Sequence, residues 1–216
     1  MNPTHHPSDE LLIAYAAGTA TEAEALVVST HLTFCPDCRA DLRTAEAVGG
    51  ALLDQIDVAP MHASGLESVL ARLDEPAPAA IIRARHAETP AGLPVALAEY
   101  AAAALEQTGW RMVSPGIKQL QLTTSGAGKA RLLKLKPGTR LPEHGHRGTE
   151  LTVLLAGSYT DEFGQFVRGD MEEVDESVIH RPVVDEGPEC IALIVTEAPL
   201  KFRTWMARLA QPLIGI

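Results

Sequence analysis

Residues 31–38 (HLTFCPDC) contain one histidine and two cysteines at a spacing that suits a metal ion. If the chain is helical up to Cys35, His31 and Cys35 share one face, because residues four apart are neighbours on a helix. Pro36 cannot continue that helix but favours the first turn of a new one, which would contain Cys38. The positive end of the new helix should then lower the pKa of the Cys38 thiol.

Zinc takes four ligands in a tetrahedron, so a fourth side chain must join His31, Cys35 and Cys38. The nearest candidates are His5 and His6, and the spacing allows either. A C-x-x-C pair can also be a redox motif, but no β-α-β pattern surrounds it here. Three cysteines do not make a disulfide framework. We therefore predict a helical zinc site.

A second set of metal-type side chains lies in residues 138–157 (GTRLPEHGHRGTELTVLLAG), which match the first cupin motif, G-x5-H-x-H-x3-E-x6-G, at every fixed position. Residues two apart in a strand face the same way, so His144 and His146 should both point inward. Glu150 should return from the neighbouring strand, and His180, on a later predicted strand, is the fourth candidate. Three histidines and one glutamate suit zinc, iron or manganese.

The apolar pattern predicts the elements that position these residues. Helices are expected after the caps Ser8 and Thr21, then over 36–56, 65–73 and 95–107. Strands are expected at about 110–114, 117–123, 130–136, 150–156, 158–160, 170–174, 177–184 and 189–196. The predicted architecture has several domains: a small all-α zinc-binding domain (1–75), a Pro- and Ala-rich linker (76–94), and an all-β cupin barrel with a C-terminal tail (95–216).

The net charge of −10 is concentrated in the N-terminal part. Residues 1–75 hold 12 acidic and three basic side chains, whereas the other 141 residues hold 16 and 15. Such a surface repels nucleic acid and would attract a basic protein, unless it is simply a solvated helical face. We expect no signal peptide and no membrane span, because the sequence lacks the required apolar runs. The predicted location is the cytoplasm.

The order of these features resembles the ChrR family of anti-sigma factors, from the His5-His6 start to the closing QPLIGI. The resemblance implies a non-enzymatic protein whose N-terminal zinc domain binds and inhibits an extracytoplasmic-function (group IV) sigma factor. It implies that the cupin domain binds a second zinc and is needed for release of the sigma factor under singlet-oxygen or related oxidative stress. The implied ligands are His6, His31, Cys35 and Cys38 in the first site, and His144, His146, Glu150 and His180 in the second. The second metal could instead be iron or manganese.

Two other functions remain open at this point. The protein could be a metal-dependent cupin enzyme of the dioxygenase or isomerase type with an accessory helical domain. Alternatively, both metals could be purely structural. Cys190, on an apolar strand, is expected to be a buried core residue rather than a sensor. His62 and His86 are expected at the surface, and the tail from Pro199 could pack on the barrel, dimerise or contact the partner.

Overall fold

The computed structural model describes residues 2–73, 75, 92–198 and 201–202. Its elements are α1 (Asp9–Ala16), α2 (Glu22–Leu32), α3 (Pro36–Leu53), α4 (Gly65–Ala71), α5 (Val95–Gln107), β1 (Arg111–Ser114), β2 (Ile117–Gln121), β3 (Lys129–Leu135), β4 (His144–Gly145), β5 (Glu150–Ala156), β6 (Ser158–Asp161), β7 (Gly164–Val167), β8 (Met171–Val174), β9 (Ile179–His180), β10 (Val183–Val184), β11 (Cys190–Thr196) and β12 (Lys201–Phe202). Most of the predicted linker, His86 and most of the tail lie outside the described residues. Within them, no helix has the length and apolar character needed to cross a bilayer.

The helices begin where the sequence places their caps. Ser8 accepts a hydrogen bond from the backbone N–H of Leu11 and opens α1. Thr21 caps the start of α2 as predicted and forms a capping box with Glu24. Pro36 occupies the first turn of α3, which ends at Leu53, about one turn before the predicted end.

The strands form three antiparallel sheets. A six-stranded sheet has the order β1-β2-β3-β11-β5-β8, and two three-stranded sheets have the orders β10-β6-β7 and β12-β4-β9. The strand predicted over 177–184 is in fact two short strands, β9 and β10, that belong to different sheets. Pro182 lies between them and has no N–H to give to a ladder, which explains the break. The strand implied for His144 and His146 is present as β4, but it covers only His144–Gly145. The short strands β7 and β12 were not predicted.

The six-stranded sheet is buried on both faces. Alternate residues of its central strands, such as Leu151, Val153 and Leu193, pack in one core with apolar residues of α1, α2 and α5. The intervening residues, such as Leu154 and Ala192, pack in a second core with side chains of the β10-β6-β7 sheet. The sheet therefore supplies one side of the core of the N-terminal helices, which could not bury much surface alone.

Cys190 lies in this second core and is fully buried, as expected. Gly157, the last glycine of the cupin motif, has a φ of +68° and packs directly on this cysteine. A Cβ at that position would lie 2.7 Å from the Cα of Cys190, so the turn requires glycine.

Candidate metal centres

Four side chains from the N-terminal part converge, and their candidate ligand atoms all lie within 4.8 Å of one another: His6, His31, Cys35 and Cys38. The Nδ1 atom of His6 lies 3.4 Å from the Sγ atom of Cys35 and 3.3 Å from that of Cys38. The Nε2 atom of His31 lies 3.3 Å from the Sγ atom of Cys38. A tetrahedral zinc ion, with bonds of about 2.1 Å to nitrogen and 2.3 Å to sulfur, requires separations of about 3.6 Å. The donor set therefore fits zinc.

His5 does not belong to this cluster. Its Nδ1 atom lies 3.3 Å from a carboxylate oxygen of Asp170, and its ring centroid lies 4.3 Å from that of Phe166. His6 is exposed and lines a groove of about 930 Å³ between the N-terminal segment and strand β8. Of the two histidines that the spacing allowed, the structure brings His6 to the cysteines.

The hydrogen bond of His31 fixes which ring nitrogen can face a metal ion. Its Nδ1–H donates to the carbonyl oxygen of Gly169 at 2.8 Å. A carbonyl can only accept, so the hydrogen belongs on Nδ1, and the lone pair of Nε2 faces Cys38. Burial lowers the pKa of His31 to about 4. The imidazole is therefore neutral at pH 7, which is the form that binds metals.

The predicted lowering of the Cys38 pKa is wrong. Burial, the hydrogen bond with Cys35 and the negative charges of Asp41 and Asp37 raise the pKa of Cys38 to about 12. The thiol is only 2% exposed, so desolvation outweighs the favourable end of helix α3. The Cys38 proton must leave when a cation binds, which couples metal affinity to pH.

The cupin candidates His144, His146, Glu150 and His180 form a second buried cluster, again with ligand atoms within 4.8 Å of one another. His144 on β4 pairs with His180 on β9, and their Nε2 atoms lie 3.1 Å apart. The Nδ1 atom of His146 lies 3.8 Å from a carboxylate oxygen of Glu150. Glu150 begins the next strand along the chain, but β5 pairs with β8 and β11, so this candidate ligand comes from the six-stranded sheet.

Two carboxylates that sequence reasoning missed lie behind His180. Its Nδ1 atom is 3.0 Å from an oxygen of Asp161 and 3.4 Å from an oxygen of Glu172, and the hydroxyl of Tyr159 donates to Glu172. Carboxylates behind a ligating histidine fix its orientation and raise its basicity. Glu172 could have been singled out because it is an acidic residue inside a largely buried strand. Asp161 gave no comparable signal.

The charges of this interior also fit a divalent cation. Burial lowers the pKa of His144 to about 4 and raises that of Glu150 to about 7. Burial opposes the charged form of His180, but Asp161 and Glu172 outweigh it and raise the pKa of His180 to about 10. If His180 is neutral, as metal ligation requires, three carboxyl groups share this interior with one cationic group of the described residues, the buried guanidinium of Arg131. A divalent cation would compensate the excess negative charge.

Little space remains beside the cupin cluster. A cavity of about 30 Å³ borders His144, Glu150 and His180 and is otherwise lined largely by apolar side chains. That volume holds about one water molecule, whereas small-molecule sites usually span about 300–1,000 Å³.

The fold and the two clusters define a zinc-finger-like helical segment joined to a cupin-like domain. Residues 8–39 match the family described as "Putative zinc-finger", and residues 98–199 match the family described as "ChrR Cupin-like domain". The chain is 43% identical over 220 residues to the anti-sigma-E factor ChrR of Cereibacter sphaeroides, with 100% of both sequences covered. The chain therefore belongs to the ChrR family of anti-sigma factors.

A solved structure with the same fold supports this assignment. The crystal structure of Rhodobacter sphaeroides SigE in complex with the anti-sigma ChrR matches with a TM-score of 0.76 and 41% identity, covering 90% of this chain and 99% of that chain. The family resemblance and the predicted fold class, helices followed by a cupin, are confirmed. The domain boundaries at residues 75 and 94 stay predictions.

Proposed function

We propose that this protein is a zinc-dependent anti-sigma factor that binds and inhibits an extracytoplasmic-function (group IV) sigma factor. Its full-length relative is named an anti-sigma factor, and the solved relative is in complex with SigE. Sigma factors act on RNA polymerase, so the proposed site of action is the cytoplasm. The structural observation that carries partner binding is an exposed apolar surface on α3, α4 and the segment between them.

We call this surface, residues 48–73, the exposed helical surface. In the described part of the chain, sixteen large apolar side chains are exposed, and ten of them lie here: Val48, Leu52, Leu53, Ile56, Val58, Met61, Leu66, Val69, Leu70 and Leu73. No residue of α4 is buried. A large patch of exposed apolar groups on a protein surface typically marks a site of interaction with another protein. We propose that it covers the polymerase-binding surface of the sigma factor.

The charge of the same region favours a basic protein partner. Acidic side chains outnumber basic ones by 12 to three in residues 1–75. Sigma factors need positive faces to bind DNA, and an acidic surface attracts such faces while repelling nucleic acid itself. The protein therefore does not bind nucleic acid directly in this proposal.

The four candidate ligands tie three parts of the N-terminal region together. His6 precedes α1, His31 lies near the end of α2, and Cys35 and Cys38 lie at the start of α3. A zinc ion bound by these side chains would supply folding free energy and fix the angle between α2 and α3. Because α3 leads directly into the exposed helical surface, that angle determines how the surface is presented.

Co-purification with the cognate sigma factor tests binding, and sigma-dependent transcription tests inhibition. We expect Leu52→Asp and Val69→Asp to weaken binding at least about 30-fold, since a buried interface anchor contributes about 2 kcal/mol or more. The matched control is Val95→Asp, which places the same charge at a residue 79% exposed on α5. Equal binding by all three variants would contradict the assigned surface. A Cys35→Ala/Cys38→Ala variant should not inhibit, because it lacks two of the four candidate ligands.

We further propose that the cupin cluster holds a second divalent metal, zinc or alternatively iron or manganese, and is needed for release under singlet-oxygen or related oxidative stress. His144→Ala and His180→Ala variants should keep inhibition but lose the response to singlet oxygen, measured as sigma-dependent transcription. An unchanged response in variants that contain no cupin metal would instead favour a purely structural metal. The cavity of about 30 Å³ gives no support to the cupin-enzyme alternative.

A further inference from the structure

The turn between β7 and β8 contacts the N-terminal ligand set at two points. The carbonyl oxygen of Gly169 accepts the Nδ1–H of His31 at 2.8 Å. One carboxylate oxygen of Asp170 accepts the backbone N–H groups of Thr4 at 2.7 Å and His5 at 3.2 Å. The turn thus holds one ligand directly and the backbone that leads into another, His6.

Both carboxylate oxygens of Asp170 have polar partners. Its side chain is fully buried, and its second oxygen accepts the N–H of Val167 at 2.8 Å and lies 3.3 Å from the Nδ1 atom of His5. The backbone N–H of Met171 donates to the carbonyl oxygen of His5 at 3.1 Å. Burial opposes ionisation, but these N–H donors and His5 hold the pKa of Asp170 below its ordinary value. The residues before His6 are therefore fastened to strand β8.

Gly169 allows the two parts of the molecule to approach this closely. Its φ is +97°, and a Cβ there would lie 2.9 Å from the Cβ of Phe34 and 3.0 Å from the Cγ of Pro3. The guanidinium of Arg168 lies 4.6 Å above the Phe34 ring. The turn fits between the N-terminal segment and the residues that follow α2, which carry the cysteines.

We propose that Asp170 is a positioning residue for the N-terminal metal site, acting together with the Gly169 carbonyl, so that the cupin part completes a site whose four ligands all come from the other part of the chain. Groups behind metal ligands set their tautomer and orientation, and losing one typically weakens metal binding about 10–100-fold. The inference rests on the N-terminal zinc site of the proposed function, but it does not depend on the partner.

Cobalt(II) bound to the full-length chain tests this inference. Only the N-terminal set contains sulfur ligands, so sulfur-to-cobalt charge-transfer absorption reports that site even when cobalt also enters the cupin set. We expect Asp170→Asn to raise the cobalt dissociation constant of this site about 10–100-fold, measured by chelator competition. The matched control is Asp185→Asn, because Asp185 accepts three side-chain hydrogen bonds within the cupin part, from Ser158, Thr160 and Gln165.

An effect of Asp170→Asn within threefold of the control would overturn the proposal, provided that both variants keep the wild-type circular dichroism spectrum. If Asp170→Asn does not fold, Thr4→Pro decides, because proline lacks the backbone N–H that Thr4 donates to Asp170; Asp185→Asn remains the control. More than a threefold weakening of cobalt binding by Thr4→Pro relative to Asp185→Asn supports the proposal, and a smaller one overturns it. If the chain fails to bind the sigma factor but Asp170→Asn still weakens cobalt binding relative to its control, only the proposed function is overturned.

Discussion

Raising the pH should tighten metal binding at the cupin cluster, because His180 must lose a proton to act as a ligand. Its Nδ1 atom faces Asp161 at 3.0 Å and Glu172 at 3.4 Å, while Nε2 points toward His144. The two carboxylates raise the pKa of His180 to about 10. At pH 7 a cation therefore competes with a proton for Nε2, and this competition disappears only above pH 10.

The magnitude follows from proton linkage. Below the pKa of His180, each pH unit changes the apparent affinity about tenfold, because one proton leaves for each metal bound. Between pH 7 and pH 9 the expected gain is about 100-fold. Burial raises the pKa of Glu150 to about 7, so Glu150 should add about a further factor of two over this range.

Calorimetry in buffers with different ionisation enthalpies counts the released protons directly. A Cys35→Ala/Cys38→Ala background removes two ligands from the proposed N-terminal site. Of the two proposed metal sites, only the cupin cluster then remains complete. We expect about one proton per metal at pH 8. Asp161→Asn/Glu172→Gln should flatten the pH dependence, because it removes the two charges that raise the pKa of His180. A release near zero at pH 8 would refute this explanation, whatever the absolute affinity.

Three further predictions concern stability and reactivity. Hydrogen bonds from Ser125 and Tyr100 lower the pKa of Glu22 to about 2. The contribution of the Glu22 carboxylate to stability should therefore be complete above about pH 4.5 and lost as the pH falls toward 2. Glu22→Gln should lower the melting temperature at pH 7 but not near pH 2. Leu97→Ala should reduce the free energy of unfolding in urea by about 2–5 kcal/mol, because Leu97 is fully buried, whereas Leu105→Ala, at a residue 42% exposed, should cost less than about 1 kcal/mol. Burial raises the pKa of Cys190 to about 12, so iodoacetamide should leave this thiol unmodified in the native protein. Rapid alkylation would contradict its assignment to the core. The Cys190→Ala variant should keep the stress response.

The ligand candidates could be found from the sequence because their spacing follows local geometry. The i and i+4 positions of His31 and Cys35, and the alternation of His144 and His146, are short-range features that helix and strand periods determine. The helix caps at Ser8 and Thr21 are equally local, and the structure places both as predicted. The choice between His5 and His6 depended instead on Asp170, which lies about 165 residues away along the chain.

Electrostatic effects were predicted less well, since burial controls them and the sequence does not show burial at a given site. The helix end suggested a lowered pKa for Cys38, but desolvation and nearby charges raise it. Likewise, Asp161 and Glu172 meet behind His180 only after β6, β8 and β9 have assembled from different sheets.

The sequence by itself determined two sets of candidate ligands, except for the choice between His5 and His6. It also determined the helical and cupin parts and the acidic N-terminal region, because all of these follow from local spacing, periodicity or composition. Only the tertiary structure decided that helices α1 and α2 share a core with the six-stranded sheet. It alone placed the Gly169–Asp170 turn against the N-terminal candidate ligands, and Glu172, two residues further along the chain, against His180. The physical reason is that desolvation and long-range hydrogen bonds arise from packing between distant segments, which no short stretch of sequence encodes.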